Sequence, residues 1–352
     1  MVFWSIAILT LLVLALAAFR TYEQRQIAKR IAITSPNGIA LLEKVRLGGV
    51  EQWIQIRGED RTKPILPFLH SGPGFPEMPF SHVNAELEKE FVVVQWDQRG
   101  AGKSYCSSIP ESSMTIEQFI ADTHELVELL LQRFGRTKLM LVAHSWGSIV
   151  GALTVAKYPE LFSAYVGISQ AANAPESERT MYRFALEIAA RQGNGKAMVE
   201  LRKIGEPPYK NFAEYRIMKS WVKQFNDVGY AEPTPWRFVR IAFASPVYSW
   251  SDLLRLLFGM RFSFSHLWQE AFYRVDLFKQ VPRIDVPIYF FLGRHDRTVT
   301  ASAAMAQQYF DALGAPKGKH LIWFENSGHW PQLEEPEKFR TMLTDELSKS
   351  HD

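Results

Sequence analysis

An α/β fold is expected of this chain: a mostly parallel sheet with helices on both faces and an inserted helical cap. Three observations carry that expectation. Short, almost wholly apolar runs such as "PILPFLH" and "FVVVQWD" suit strands buried on both faces. They alternate with amphipathic helical stretches, as parallel crossovers require. Between Ala174 and Arg274 the alternation stops, and that stretch holds 19 of the 46 aromatic residues.

Taken in order, the chain begins with "VFWSIAILTLLVLALAAF", Val2 to Phe19, in which only Ser5 and Thr10 are polar. Eighteen helical residues reach about 27 Å, nearly a bilayer core. Arg20, Arg25, Lys29 and Arg30 follow. Residues 1–30 therefore read as an N-terminal membrane anchor whose basic flank puts the catalytic part in the cytoplasm. A signal peptide cut near "ALAA", with secretion of the rest, is the alternative. No chemical candidate precedes His70, so the first thirty residues are expected to be dispensable for catalysis.

"EKVRLGG" and "VEQWIQIRG" alternate in polarity and read as a hairpin. "TIEQFIADTHELVELLLQRFG" is a helix with Thr115 and Gln118 spaced as a capping box and Gly135 past its end. "KLMLVAH" is a strand leading into a helix over Ser148 to Tyr158, and "AYVGIS" is the next strand. After the insertion come "PIYFFLG", "ASAAMAQQYFDALG", "KHLIWFE" and "PEKFRTMLTDELSK", alternating strand and helix. The core thus spans 38–173 and 275–350, and 174–274 forms a cap over the strand carboxyl ends, where open α/β sheets bind ligands.

Composition narrows the function. Hydrophobic content of 47% and charged content of 22% are those of a globular protein. The 40 basic and 37 acidic residues nearly cancel, and no basic run interleaved with aromatics marks a nucleic-acid partner. The single Cys106 excludes an internal disulfide and a cysteine-based zinc cluster.

The chemistry concentrates where "LMLVAHSWGSIVGALTVAKYP" turns from strand to helix with no loop. A serine hydroxyl must be exposed, and a base must take its proton, before it attacks a carbonyl. A sharp turn exposes Ser145, and small neighbours let the strand and helix backbones approach. Asp296 follows one later strand and His329 the next, in the chain order Ser…Asp…His. His329 is the expected general base and Asp296 the group that orients it. His295 reads as a loop histidine. The loop His70-Ser71-Gly72-Pro73-Gly74 follows another strand, so the Gly72 and Trp146 N–H groups are the expected oxyanion donors.

"HSGPG", "WDQRGAGKS", "HSWGS", "GRHD" and "GHW" occur in the order and approximate spacing of the proline iminopeptidase family of α/β-hydrolases, which the chain resembles from Gly38 to Ser348. The resemblance is weak across the cap, and "WDQRGAGKS" is its most specific piece. It implies removal of an N-terminal residue, often proline, from short peptides or amides, without metal or organic cofactor. It assigns Ser145, Asp296 and His329 to a triad and the "HSGPG" loop to the oxyanion hole. Ser71 and Ala143 stand where the family usually has Gly.

An aminopeptidase also needs an acidic group for the substrate ammonium. Glu77 and the cap's Glu176, Glu178, Glu206 and Glu214 are the candidates, with Glu206 and Glu214 first. Asp97 and Arg99 read as a buried structural pair. The rival readings are an esterase or lactonase for apolar acyl groups, served by "LLRLLFGMRFSFSHLW", and a membrane-tethered binding protein without catalysis. That apolar segment also reads as cap core.

Overall fold

The computed structural model describes residues 2–226, 235–296 and 302–348. The part of the insertion over 227–234 and the last two residues of the expected core lie outside the described residues.

Helix α1 (Val2–Arg30) is followed by β1 (Ile39–Leu47) and β2 (Val50–Gly58), paired antiparallel from Ile39↔Gly58 to Leu47↔Val50. Gly48 and Gly49 both have positive φ, as a two-residue hairpin turn demands. Then come β3 (Ile65–Leu69), β4 (Val92–Asp97), α2 (Ile116–Phe134), β5 (Leu139–His144), α3 (Trp146–Lys157) and β6 (Phe162–Ile168). The insertion supplies α4 (Ala174–Arg191), α5 (Gly195–Ile204), α6 (Phe212–Asn226), α7 (Pro235–Ala244) and α8 (Trp250–Tyr273). The chain closes with α9 (Leu277–Gln280), β7 (Ile288–Gly293), α10 (Ala303–Ala312), β8 (Lys319–Phe324), α11 (Pro331–Glu334) and α12 (Pro336–Ser348).

The eight strands lie in the order β1-β2-β4-β3-β5-β6-β7-β8. Only the β1–β2 and β2–β4 pairs are antiparallel. Every residue of β3, β4, β5 and β7 is buried, which explains why their sequences show no alternation. The pleat still sorts them by face. Leu141 and Ala143 of β5 join the core beneath α2 and α3, whereas Met140 and Val142 pack with Phe339, Leu343 and Leu347 of α12.

Two local expectations change. Thr115 accepts the Gln118 N–H at 3.2 Å, but the Gln118 amide turns to Asp122 at 2.8 Å, so only half of the capping box forms. Asp97 and Arg99 do not pair. Neighbouring groups at the end of β4 diverge: Arg99 grips Asp122 of α2 through Nε and Nη2, both at 2.9 Å. Asp97 instead accepts from Tyr248 Oη and, at 2.8 Å, from the Lys103 N–H.

Among the described residues, α1 is the one helix long and apolar enough to cross a membrane by length and composition. Its basic end does not hang free. Arg20 is buried, donating from Nε to Phe243 O at 2.9 Å and from Nη2 to Tyr248 O at 2.6 Å. Gln24 donates to Ser245 O at 2.6 Å. Arg20 and Gln24 thus tie α1 to the insertion, while most of the helix is exposed.

The Arg99–Asp122 pair is almost completely enclosed, at 1% and 0% side-chain exposure. Removing one partner strands a charge, so Arg99→Ala should lose about 3–5 kcal/mol of stability. The double variant Arg99→Met/Asp122→Leu should recover much of it. Urea unfolding midpoints at unchanged slope are the measurement, and a wild-type midpoint for Arg99→Ala would contradict the account.

Candidate active site

Ser145 joins β5 to α3 with φ 53° and ψ −112°, a strained conformation for a residue with a side chain. Backbone hydrogen bonds fix it there. Its N–H donates to Ile168 O at 3.0 Å, and its carbonyl accepts from the Ser148 N–H at 2.9 Å and Oγ at 2.5 Å. Behind it, a Cβ on Gly147 would stand 2.3 Å from Leu69 O, so only glycine lets α3 approach β3 this closely. The Ala143 methyl is accommodated one turn further on, where a Cβ on Gly151 would come within 2.8 Å of it. Gly151 thus offsets the departure at Ala143.

The other predicted groups gather at the same carboxyl edge. Asp296 follows β7 and His329 follows β8, and His329 Nδ1 lies 2.8 Å from Asp296 Oδ2. Their loops touch through backbone, since a Cβ on Gly293 would overlap Gly328 O. Ser145 and His329 line one cavity of about 250 Å³ together with Ser71 and Gly72 of the β3 loop. Gly72 has φ 135°, and a Cβ there would meet Gly74 N at 2.4 Å. The Trp146 N–H belongs to the first turn of α3, whose amides have no partner within the helix. The Trp146 ring is buried and donates from Nε1 to Gln98 Oε1 at 3.2 Å. His295 turns away, with Nε2 3.0 Å from Glu325 O.

The remaining cavity wall is largely aromatic, from Phe75, Phe264, Phe272, Tyr215 and Trp330. Pro73, Met260 and Lys219 complete it, and no carboxylate is among the described lining residues. The structure does not bring Glu206 or Glu214 to the cavity. Glu206 is exposed beside Arg183 at 3.5 Å, and Glu214 accepts from the Lys210 N–H at 2.8 Å. Glu176 pairs with Arg179.

Glu77 is buried outside the cavity wall and already engaged. One oxygen accepts from the Ser71 N–H at 2.9 Å and meets His144 Nδ1 at 2.6 Å, and the other accepts from Gln332 at 3.2 Å. Burial works to raise its carboxyl, but the His144 charge and these hydrogen bonds hold it below its ordinary value. His144 Nε2 in turn lies 2.8 Å from His329 O. Glu77 and His144 therefore brace the β3 loop against the backbone of His329. The sequence carried one signal of this: His144 directly precedes Ser145.

Glu178 on α4 differs from the other insertion glutamates. It is fully buried, and neither carboxylate oxygen has a hydrogen-bond partner. Burial pushes it up to about 7, against the opposing charge of Lys219. Its charge acts on Tyr215 and is opposed by Lys219, two residues of the cavity wall.

The model of the alpha/beta hydrolase family matches residues 68–341, and the chain belongs to that family. It is 37% identical over 316 residues to the probable aminopeptidase YbaC of Bacillus subtilis, covering 89% of this chain and 98% of the relative. A proline iminopeptidase of Clostridioides difficile is 25% identical over 85% of this chain and 95% of its own length. The crystal structure of the Mycobacterium smegmatis proline iminopeptidase superposes with a TM-score of 0.60 at 19% identity, covering 88% and 98% of the two chains. The chain is thus a hydrolase of the alpha/beta hydrolase family.

The Ala143–Gly151 contact gives a direct test of the elbow. Gly151→Ala would press on both Ala143 and Tyr165, at 2.8 and 3.0 Å. Overpacking of this kind costs about 1–3 kcal/mol. Adding Ala143→Gly should recover part of that loss in a denaturation series, and simple additivity of the two changes would contradict the contact.

Proposed function

We propose that the chain is a serine hydrolase working through an acyl-enzyme. Ser145 Oγ attacks the scissile carbonyl while His329 takes its proton, and Asp296 holds the imidazole and steadies the imidazolium. The N–H groups of Gly72 and Trp146 receive the developing oxyanion. His329 then hands the proton to the leaving group, and water releases the acyl group by the same steps reversed. Every proton movement has a protein group to serve it, so the reading calls for no cofactor. The observation that carries it is the shared cavity of strained Ser145 and of His329, whose Nδ1 is held by Asp296.

Ser145→Ala should lose on the order of 10⁴-fold or more in turnover with the fold intact. Asp296→Asn should be crippled through the wrong histidine tautomer. Wild-type-like turnover of a clean Ser145→Ala preparation would end the assignment.

For substrate, we infer the N-terminal residue of short peptides or amides. The relative named an aminopeptidase supports this, as does Glu178, a buried carboxylate without a hydrogen-bond partner whose charge acts on Tyr215 of the cavity wall. A substrate ammonium would supply the hydrogen bonds that its oxygens lack. Glu178 titrates near 7, so it becomes an anion as pH rises through that value. The rate ratio of proline amide to its N-acetyl form should therefore climb through pH 7, by about tenfold for 1.4 kcal/mol of pairing. Glu178→Gln should flatten the climb. Equal rates on free and blocked amines at every pH would favour the second reading, an esterase for apolar acyl groups. The aromatic wall and the absence of a carboxylate among the described lining residues support that second reading.

We also read the apolar part of α1 as an uncleaved membrane anchor, with the basic residues after it on the cytoplasmic side.

A further inference from the structure

We infer that the outer face of α7 and α8 lies on the lipid bilayer, so that the insertion binds the membrane alongside the anchor. The inference rests on reading α1 as a membrane span. The apolar run of α1 ends at Phe19, and the next residue, Arg20, is buried against the connection between α7 and α8. Its guanidinium also stands 4.5 Å from the centre of the Trp250 ring. A spanning helix leaves its last apolar residues at the headgroup level. The end of α7 and the start of α8 are therefore held at that level by direct contact.

The surface found there suits a lipid interface. Trp236 and Val239 of α7 and Trp250, Leu254, Leu257 and Phe258 of α8 are exposed. The four on α8 recur at the spacing of a single helix face. Outside α1, the only other exposed large apolar side chains among the described residues are Leu41, Leu42 and Val199. Arg240, Arg255 and Arg261 are exposed on the same two helices. The acids of α8 turn inward, Asp252 to Lys103 and Glu270 to the Ile116 N–H. Apolar side chains set among arginines, without exposed acids, match an acyl boundary under anionic headgroups. The same two helices also serve the site. Met260 and Phe264 line the cavity, and Phe238 packs on Phe75 and Trp330. The proposed bilayer face and the cavity thus share α7 and α8.

The test uses the full chain in a Cys106→Ser background, since Cys106 is the one exposed thiol. Leu257→Cys and Leu254→Cys are each labelled with an environment-sensitive fluorophore, and Val199→Cys, also exposed, is the control. The proteins are reconstituted in vesicles of phosphatidylcholine and phosphatidylglycerol carrying nitroxide on the upper acyl chain. Labels at 254 and 257 should shift to the blue and be quenched several-fold more than the label at 199. If the chain floats with the vesicles but all three labels are quenched alike, this inference fails and the anchor stands. If the chain does not float, both fail. Quenching replaced by a shift that scales with protein density would mean that a second copy covers the face, which also overturns the proposal.

Discussion

The site depends on a backbone contact: the first turn of α3 lies against the end of β3, with Gly147 pressed to Leu69 O. That proximity leaves no room for a relaxed linker, so Ser145 alone makes the turn, at a φ that ordinary side chains avoid. Strain of this type costs about 1–3 kcal/mol and persists only where its surroundings over-determine it. Here the Ile168 carbonyl and the Ser148 side chain supply the restraint. The same edge collects the loops after β3, β7 and β8, and backbone contact between Gly293 and Gly328 sets the last two together.

Around that edge the "WDQRG" segment acts as a hub, with Asp97, Gln98 and Arg99 turned to different elements. Asp97 reaches the insertion through Tyr248, and burial pushes its carboxyl up to about 7. Gln98 accepts from the Trp146 ring, and its N–H donates to His70 Nε2 at 3.1 Å. Burial lowers His70 to about 4, so it is neutral and free to accept that hydrogen bond. Arg99 ties the segment to α2. The specificity of this motif is therefore structural: it registers the β3 loop, the elbow and the insertion against one another.

Most of the architecture was legible, because it follows from local signals. Continuous apolar runs marked the buried strands, alternation marked the hairpin, and a serine in a loopless turn marked the elbow. What failed depended on direction and burial. Asp97 and Arg99 are near in sequence but face apart, and Arg99 pairs instead with Asp122 of α2. Four insertion glutamates were chemically equivalent on paper, and only the packing of α4 sets Glu178 apart. The apolar residues of "LLRLLFG" read as interior, yet Leu254, Leu257 and Phe258 point outward. Arg20 looked like a flank of the anchor, since its partners lie more than two hundred residues away.

The two ends of the insertion meet. Asn173 and Asp276 form an antiparallel bridge, with the Ala174 N–H donating to Val275 O at 3.1 Å and the Leu277 N–H to Ala172 O at 2.7 Å. For the sheet, the whole helical excursion is therefore equivalent to a tight turn. Closing a long excursion from ends already clamped adds little entropy to the core, because that term grows only with the logarithm of length. A stem of this kind makes the insertion interchangeable. Helices can be lengthened, traded or reshaped for a new ligand while β6 and β7 keep their register and Ser145 its backbone geometry.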